Sequence, residues 1–292
     1  SYTLISFPGL GLELDPPSTI QLGPLTIHFY GLIIAVGMLL AVLYASKRSK
    51  EFGLKEDDLI DGVLWVTPFA IICARLYYCI FEWDQYASNP ISILYIWNGG
   101  LAIYGGVLGA VIGLSVFCKA RKIKATAMMD VVSLGLLIGQ LVGRWGNFMN
   151  REAFGAPTDS FLRMGLYNTA TGAVEYYHPT FLYESLWNFV GFLLLHFLSK
   201  KRKYDGQVAL GYVAWYGLGR AFIEGLRMDS LYWGPFRVSQ VLAGISCVAA
   251  VAVLLWQGFR PHDPAKMLVN QAKEAKSEEA PKTEDETHEN EG

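Results

Sequence analysis

Charge and cysteine are both scarce in this chain, and long polar stretches are nearly absent. Only 17% of the 292 residues are Asp, Glu, Lys or Arg, while 52% are hydrophobic. A mean hydropathy of +0.29 excludes an ordinary soluble domain and suits a multi-pass membrane protein. The four cysteines (Cys73, Cys79, Cys118, Cys247) show no C-x-x-C spacing, and all fall in apolar runs. That argues against a disulfide framework and against a metal site, and reads them as small buried hydrophobes. No cluster of His, Cys and carboxylates has ligand spacing, and no nucleotide-binding motif occurs, so no metal and no cofactor is expected. The N-terminus lacks basic residues and carries Pro8, Pro16 and Pro17. It therefore reads as no cleaved signal peptide, with the first span as an uncleaved insertion signal. Net charge is −2, so no global field points to nucleic acid.

What is present is apolar length. A membrane-spanning helix takes about 20 mostly apolar residues. Seven segments qualify, at 26–46, 59–81, 93–118, 128–149, 180–199, 207–225 and 238–257. The expected class is an all-α membrane protein with seven spans. The linkers after spans one, three and five hold Lys47, Arg48, Lys50 and Lys55; Lys119, Arg121, Lys122 and Lys124; and Lys200, Lys201, Arg202 and Lys203. The other linkers hold only Arg151, Arg163, Arg227 and Arg237. The positive-inside bias then puts the N-terminus outside and the C-terminus in the cytoplasm. Residues 1–25 read as a short external segment and 150–178 as a small external cap with short strands. Residues 258–292 read as a charged, unstructured cytoplasmic tail.

Polar residues inside these spans are costly and are functional pointers by default. The densest run is G-R-W-G-N-F-M-N-R-E-A-F-G, Gly143 to Gly155. Its Arg144, Asn147 and Arg151 are spaced i, i+3, i+7 and share one face on a helix. Span six carries Y-G-L-G-R-A-F-I-E-G-L-R, with Tyr216, Arg220, Glu224 and Arg227; the last three again share a face. H-F-Y-G places His28 and Tyr30 at the start of span one. N-G-G-L-A-I-Y-G-G places Tyr104 early in span three, and H-P-T-F-L-Y-E places His178, Tyr183 and Glu184 at the start of span five. With the derived topology, nearly all of these lie in the outer half of the membrane. Each has a bland reading alone: Arg220–Glu224 as an intrahelical ion pair, Tyr30 and Tyr216 as belt aromatics, Glu184 as a partner of Arg75, Asp130 as a helix-start charge. Their joint location argues for one polar cavity open to the outer leaflet.

These motifs, in this order, resemble those of the bacterial prolipoprotein diacylglyceryl transferases over about residues 20–257. The resemblance implies a seven-span enzyme of the bacterial cytoplasmic membrane. Such an enzyme moves the diacylglyceryl group of phosphatidylglycerol onto the lipobox cysteine of a preprolipoprotein. A thioether forms and glycerol 1-phosphate leaves. The partners implied are phosphatidylglycerol, the preprolipoprotein and the bilayer, with one cavity in one bundle implying a monomer. Carried onto this chain, Arg144 is the leading phosphate ligand, Arg220 the second, and Arg227 closes the site. Asn147 donates to a phosphate or glycerol oxygen, and Glu224 holds Arg220 or binds the glycerol headgroup. Tyr30, Asn150, Glu152, Gly155, His178 and Tyr216 complete the substrate-binding set. One departure stands out: the family often carries histidine where this chain has Tyr104. A phenol, with a reference pKa of about 10, is no imidazole base near neutral pH. Tyr104, Glu152, Glu224 and His178 are the candidate proton acceptors. A transporter for lipid or small anions is the competing reading, and it predicts polar residues near both faces.

Overall fold

The computed structural model describes residues 1–96, 99–226, 232–233 and 236–281. Nine α-helices are described: α1 (Phe29–Arg48), α2 (Glu56–Phe81), the single turn α3 (Trp83–Tyr86), α4 (Ile103–Arg121), α5 (Ala125–Asn150), α6 (Thr180–Ser199), α7 (Gln207–Glu224), α8 (Val238–Gly258) and α9 (Leu268–Glu279). Their outward faces are apolar, with Leu39, Leu64, Trp65, Ile80, Val116, Phe197 and Val248 all exposed. This inverts the soluble pattern, as lipid-facing helices require, because in hydrocarbon only internally bonded backbone is stable.

Six helices are long and apolar enough to cross a membrane: α1, α2, α4, α5, α6 and α8. The sequence reading counts a seventh span at 207–225. Helix α7 stands there, but Tyr212, Trp215, Tyr216, Arg220 and Glu224 lower its hydropathy below that of its neighbours. Those residues lie at contacts with other helices, while Val213, Leu218 and Phe222 of α7 are exposed. Helix α7 packs against α5, α6 and α8.

Helix α5 is the most enclosed, with α1, α6 and α7 against it, while α2 and α4 form a second pair. The α2–α4 approach is close because α4 carries glycines on the contact face. A Cβ on Gly109 would lie 2.6 Å from Cys73 Cβ.

At the end where α1, α4, α6 and α8 begin, the chain forms small sheets. Strands β1 (Tyr2–Phe7), β2 (Leu12–Leu14), β5 (Met164–Asn168) and β6 (Ala173–Tyr177) make one sheet in the order β2-β1-β5-β6, all antiparallel. Hairpin β3–β4 (Thr19–Leu22, Leu25–His28) leads into α1, and β7–β8 (Tyr232–Trp233, Phe236–Arg237) leads into α8. The N-terminal segment and the 150–178 segment, expected as separate pieces, are thus one sheet. Ile5 opposes Leu166, and both are fully buried with Phe7, Phe148, Met164 and Phe181, which fix the sheet to the ends of α5 and α6.

At the opposite end a second core joins Phe52, Leu59, Phe117, Met128, Val131, Leu134 and Leu137. Asp130 is corrected here. It is fully buried and accepts from the backbone of Gly206 (2.8 Å) and Ala209 (2.9 Å), so it caps α7 rather than starting its own helix. The tail is corrected as well. Residues 268–279 form α9, anchored by Asp205, which accepts from Leu268 N at 2.8 Å, and by buried Met267. That short amphiphilic stretch finds partners that its composition does not advertise. Residues 282–292 lie outside the described ones.

Candidate functional site

The polar residues of α5, α6 and α7 meet at the end of the bundle below the four-stranded sheet. Helix α5 runs to Asn150 there, α6 starts there at Thr180, and α7 finishes there at Glu224. Antiparallel packing of α5 on α6 and α6 on α7 brings Arg144, Glu184, Arg220 and Glu224 into one alternating chain of charge. Arg144 Nε lies 2.7 Å from Glu184 Oε2, and Arg220 Nη1 donates to Glu184 Oε1. Arg220 Nη2 stands 2.9 Å from Glu224 Oε2, an ion pair whose orientation falls short of a hydrogen bond. Glu184 and Glu224 are 7% and 2% exposed, so each carboxylate depends on its arginines for compensation. Arg237, just ahead of α8, donates to the Glu224 carbonyl, the orphan acceptor at the end of α7.

Arg144 and Arg220 differ in how many donors remain. Both Nη atoms of Arg220 face carboxylates. Arg144 approaches Glu184 through Nε, and neither of its Nη atoms has a hydrogen-bond partner among the described residues. The Arg144 side chain is 26% exposed, against 17% for Arg220. A partly open guanidinium with its planar fork unpaired is built to take a phosphate or carboxylate through two parallel hydrogen bonds. Glu184 and Arg220 also border a void of only about 10 Å³, with Trp187, Asn188, Tyr216 and Ile223; Arg144 does not line it. Tyr216 is held by stacking on Tyr212, whose hydroxyl bonds the Gln140 amide on α5.

The remaining predicted residues fall around this chain. Asn147 and Asn150 both donate to Glu152 Oε1, at 3.3 and 3.4 Å, in the last turn of α5 and just past it. Tyr30 lies over Gly146, within van der Waals reach of where its Cβ would be. Gly155 is a close-approach position: a Cβ there would meet His178 Cβ and the Leu226 carbonyl, each at 2.7 Å. Its amide donates to the His178 carbonyl at 2.8 Å, while the His178 ring bonds the Tyr183 hydroxyl through Nδ1 at 3.1 Å. Tyr104 pairs its hydroxyl with Ser239 Oγ at 2.8 Å, tying α4 to the first turn of α8. No hydrogen bond joins Tyr104 to the arginine–carboxylate chain among the described residues. Arg227 lies outside the described residues.

Two expectations change. Arg151 does not share a working face with Arg144: its φ of +50° ends α5, and its guanidinium bonds the carbonyls of Thr3 and Met149 and the carboxylate of Asp15. It fastens strand β1 to the bundle. Burial pulls its pKa downward, with Asp15 opposing. Arg75 does not pair with Glu184 either. It donates to the carbonyls of Ser92, Ile93, Tyr95, Gly99 and Gly100, organising the loop before α4. Glu184, named in the sequence only as a polar residue at a helix start, is the hub of the site. Arg237 enters the sequence reading only as a linker charge, and nothing in the local sequence marks Ser239 as a partner of Tyr104.

A family model described as prolipoprotein diacylglyceryl transferase matches residues 17–256. The chain is similar to the phosphatidylglycerol–prolipoprotein diacylglyceryl transferase of Listeria monocytogenes serotype 4a (strain HCC23), 42% identical over 265 residues, covering 89% of this chain and 96% of that one. The protein of that name from Limosilactobacillus reuteri (strain DSM 20016) is 46% identical over 247 residues, covering 82% and 90%. That from Halalkalibacterium halodurans is 42% identical over 272 residues, covering 87% and 93%. The matched region holds all seven long helices and every charged residue of the site, and on that extent the chain belongs to the prolipoprotein diacylglyceryl transferase family.

Proposed function

We propose that this protein transfers the diacylglyceryl group of phosphatidylglycerol to the lipobox cysteine of preprolipoproteins, at the Arg144–Glu184–Arg220–Glu224 chain. The observation that carries the reading is the partly exposed Arg144, whose Nη donors have no hydrogen-bond partner among the described residues and whose Nε is held by the buried Glu184. In the reaction a carbon–sulfur bond forms at the glycerol carbon that bears the phosphate ester. The carbon–oxygen bond to phosphate breaks, and glycerol 1-phosphate departs with the electron pair. Negative charge grows on the departing phosphate, and fixed guanidinium groups at low dielectric are suited to hold it. Arg144 takes the phosphate; Arg220, held at both Nη atoms by Glu184 and Glu224, is compensated in place and fixes Glu184, which in turn positions Arg144. Asn147, Asn150 and Glu152 offer polar contacts to the glycerol hydroxyls.

The thiol must also lose its proton. A free cysteine has a pKa of about 8.5, which neighbouring cations lower. The Tyr104–Ser239 hydroxyl pair then serves as the first relay for the proton, in place of a histidine. This reading takes α7 as a seventh span, the sheets as an external cap, and the site as open toward the outer leaflet of the cytoplasmic membrane, with the protein a monomer.

The test is a transfer assay on purified protein in detergent, with phosphatidylglycerol and a lipobox peptide bearing Cys or Ser. Glycerol phosphate release that requires the Cys peptide is the expected result. Retention of phosphatidylglycerol without release would move the protein to a lipid carrier or transporter.

A further inference from the structure

A second cavity lies at the other end of the bundle, away from the arginine–carboxylate chain. It has a volume of about 1070 Å³ and opens where α1, α6 and α8 finish and α7 begins, with the segment leading into α9 along one side. Lys50, Lys200, Arg202, Lys203, Arg260 and Lys273 line it, against a single carboxylate among the described residues, Glu51. Glu51 is already paired with Arg48 at 2.6 Å. Lys50, Lys200, Lys203, Arg260 and Lys273 have no carboxylate partner among the described residues. Two donors on the wall, Arg202 Nε and the Tyr204 hydroxyl, are buried with no hydrogen-bond acceptor. Both atoms are shut off from the cavity by their own burial, as is the orphan acceptor Asp205 Oδ1 beside them, so the exposed Lys50, Lys200, Arg260 and Lys273 are the groups that an anion in the cavity would meet.

The depth of the cavity is set by aromatics. Its wall includes Leu254, Gln257 and Gly258 on the last turns of α8. Trp256 and Phe259 beside them are 57% and 89% exposed, and Phe197 on α6 is 62% exposed. Large exposed aromatics at the ends of apolar helices mark the headgroup level. Arg260 lies over the Trp256 ring at 4.7 Å and Lys200 over Phe197 at 5.9 Å, so these cations sit at that level with apolar helix faces below. Basic pockets of this kind at the cytoplasmic ends of spans suit anionic headgroups.

We infer that this cavity is a binding site for a phosphate-bearing anion, entered from the bilayer, and that its occupant is an anionic phospholipid headgroup of the inner leaflet. The cations meet the phosphate, and the acyl chains run along the exposed faces of α6 and α8. The site is separate from the transfer site and does not depend on it.

Native mass spectrometry of the full chain in non-ionic detergent tests this with dioleoyl phosphatidylglycerol and dioleoyl phosphatidylcholine as probes. The comparison is wild type against a Lys50→Gln, Lys203→Gln, Arg260→Gln variant, which leaves the structural bonds of Arg202 intact. Wild type should retain one more phosphatidylglycerol than the variant, with roughly 100-fold weaker binding of that lipid after loss of three cations. Phosphatidylcholine retention should not change. The difference of one lipid holds whether or not the outer cavity also binds lipid, so failure here and failure of the transfer reading are separable. Inorganic phosphate provides the second arm. If it raises the unfolding temperature of wild type but not of the variant, with no lipid difference, the site stands but its occupant is soluble phosphate. Equal behaviour of wild type and variant toward both probes, with both proteins folded by circular dichroism, overturns the site and leaves only topology-setting charge. A chain ended at Pro281 is run alongside. A cation-dependent difference seen only in that shortened chain would mean that the acidic residues 284–291 fill the cavity, and would overturn the proposal too.

Discussion

Arg144 and Arg220 sit one carboxylate apart, yet their donors are committed differently, and this separates their roles. With both Nη atoms on Glu184 and Glu224, Arg220 is compensated in place and positions Glu184; neither Nη of Arg144 has a hydrogen-bond partner among the described residues. Arg144→Ala should therefore abolish transfer, by at least the 10²–10³-fold that loss of one charge-stabilising donor typically costs, while the protein still inserts and folds. Wild-type turnover in that variant would remove Arg144 as the phosphate ligand. Glu184→Gln leaves two guanidinium groups facing each other without a shared anion. Removing one partner from a buried ion pair costs about 3–5 kcal/mol, so both stability in detergent and transfer rate should fall. A thermal unfolding curve indistinguishable from wild type would contradict the hub assignment. At Tyr104 the hydroxyl bonded to Ser239 is the chemical handle. Tyr104→Phe should lower the rate, Tyr104→His should retain activity, and a silent Tyr104→Phe would make the residue a packing element.

At the scale of elements, two features carry predictions. Helix α4 approaches α2 through Gly109, with a virtual Cβ 2.6 Å from Cys73 Cβ. Gly109→Leu must push the pair apart, and overpacking of this kind costs about 1–3 kcal/mol or more. A lowered unfolding temperature without changed chemistry at Arg144 is the expected result. The sheet offers a pH dependence. Glu175 on β6 accepts from Tyr177 (2.7 Å) and Tyr2 (2.9 Å), and hydrogen bonds from Tyr177 and then Tyr2 hold its carboxyl below the ordinary carboxylate value. A depressed carboxylate stabilises the folded form above its unfolded pKa, about 4.3 for glutamate. That contribution is lost as pH falls through the lower folded value. Amides of residues 164–177 should lose exchange protection on acidification in wild type, and Glu175→Gln should flatten that acid limb. An unchanged acid limb in the variant would assign the loss to other groups. The same sheet explains why the element reading was incomplete. Strands β1 and β5 lie some 160 residues apart in the chain, and neither alternates strongly enough to name the other as its partner.

For the whole molecule, the inverted surface and the segregated charge belong together. Apolar side chains face outward along the helices, Arg144 and Arg220 meet at one end, and basic residues crowd the other. If the proposed topology holds, a single cysteine placed at Thr171 in the β5–β6 turn should react with a membrane-impermeant maleimide added to intact cells. One at Lys203 should react only after the cells are opened, and the reverse pattern would invert the topology.

Sequence by itself determined the membrane class, the approximate place of the long helices and the polar motifs, because each is written in local composition: a span needs about 20 apolar residues in a row, and an arginine among them is visible by its cost. The third span, read as 93–118, is misplaced, since its helix is Ile103–Arg121 and the apolar residues ahead of it belong to the loop that Arg75 holds. Sequence also placed Glu224 beside Arg220, since i, i+4 neighbours meet on any helix. Only the tertiary structure decided which distant charges meet. Glu184 is 40 residues from Arg144 and 36 from Arg220, and its partner depends on how α6 is rotated between α5 and α7. The same is true of Asp130 capping α7, of Arg151 and Arg75 binding carbonyls instead of working at the site, and of α9 docking through Asp205. In each case a buried polar group satisfies its partner across a helix interface, and the choice among partners is made by packing, which no short stretch of sequence encodes.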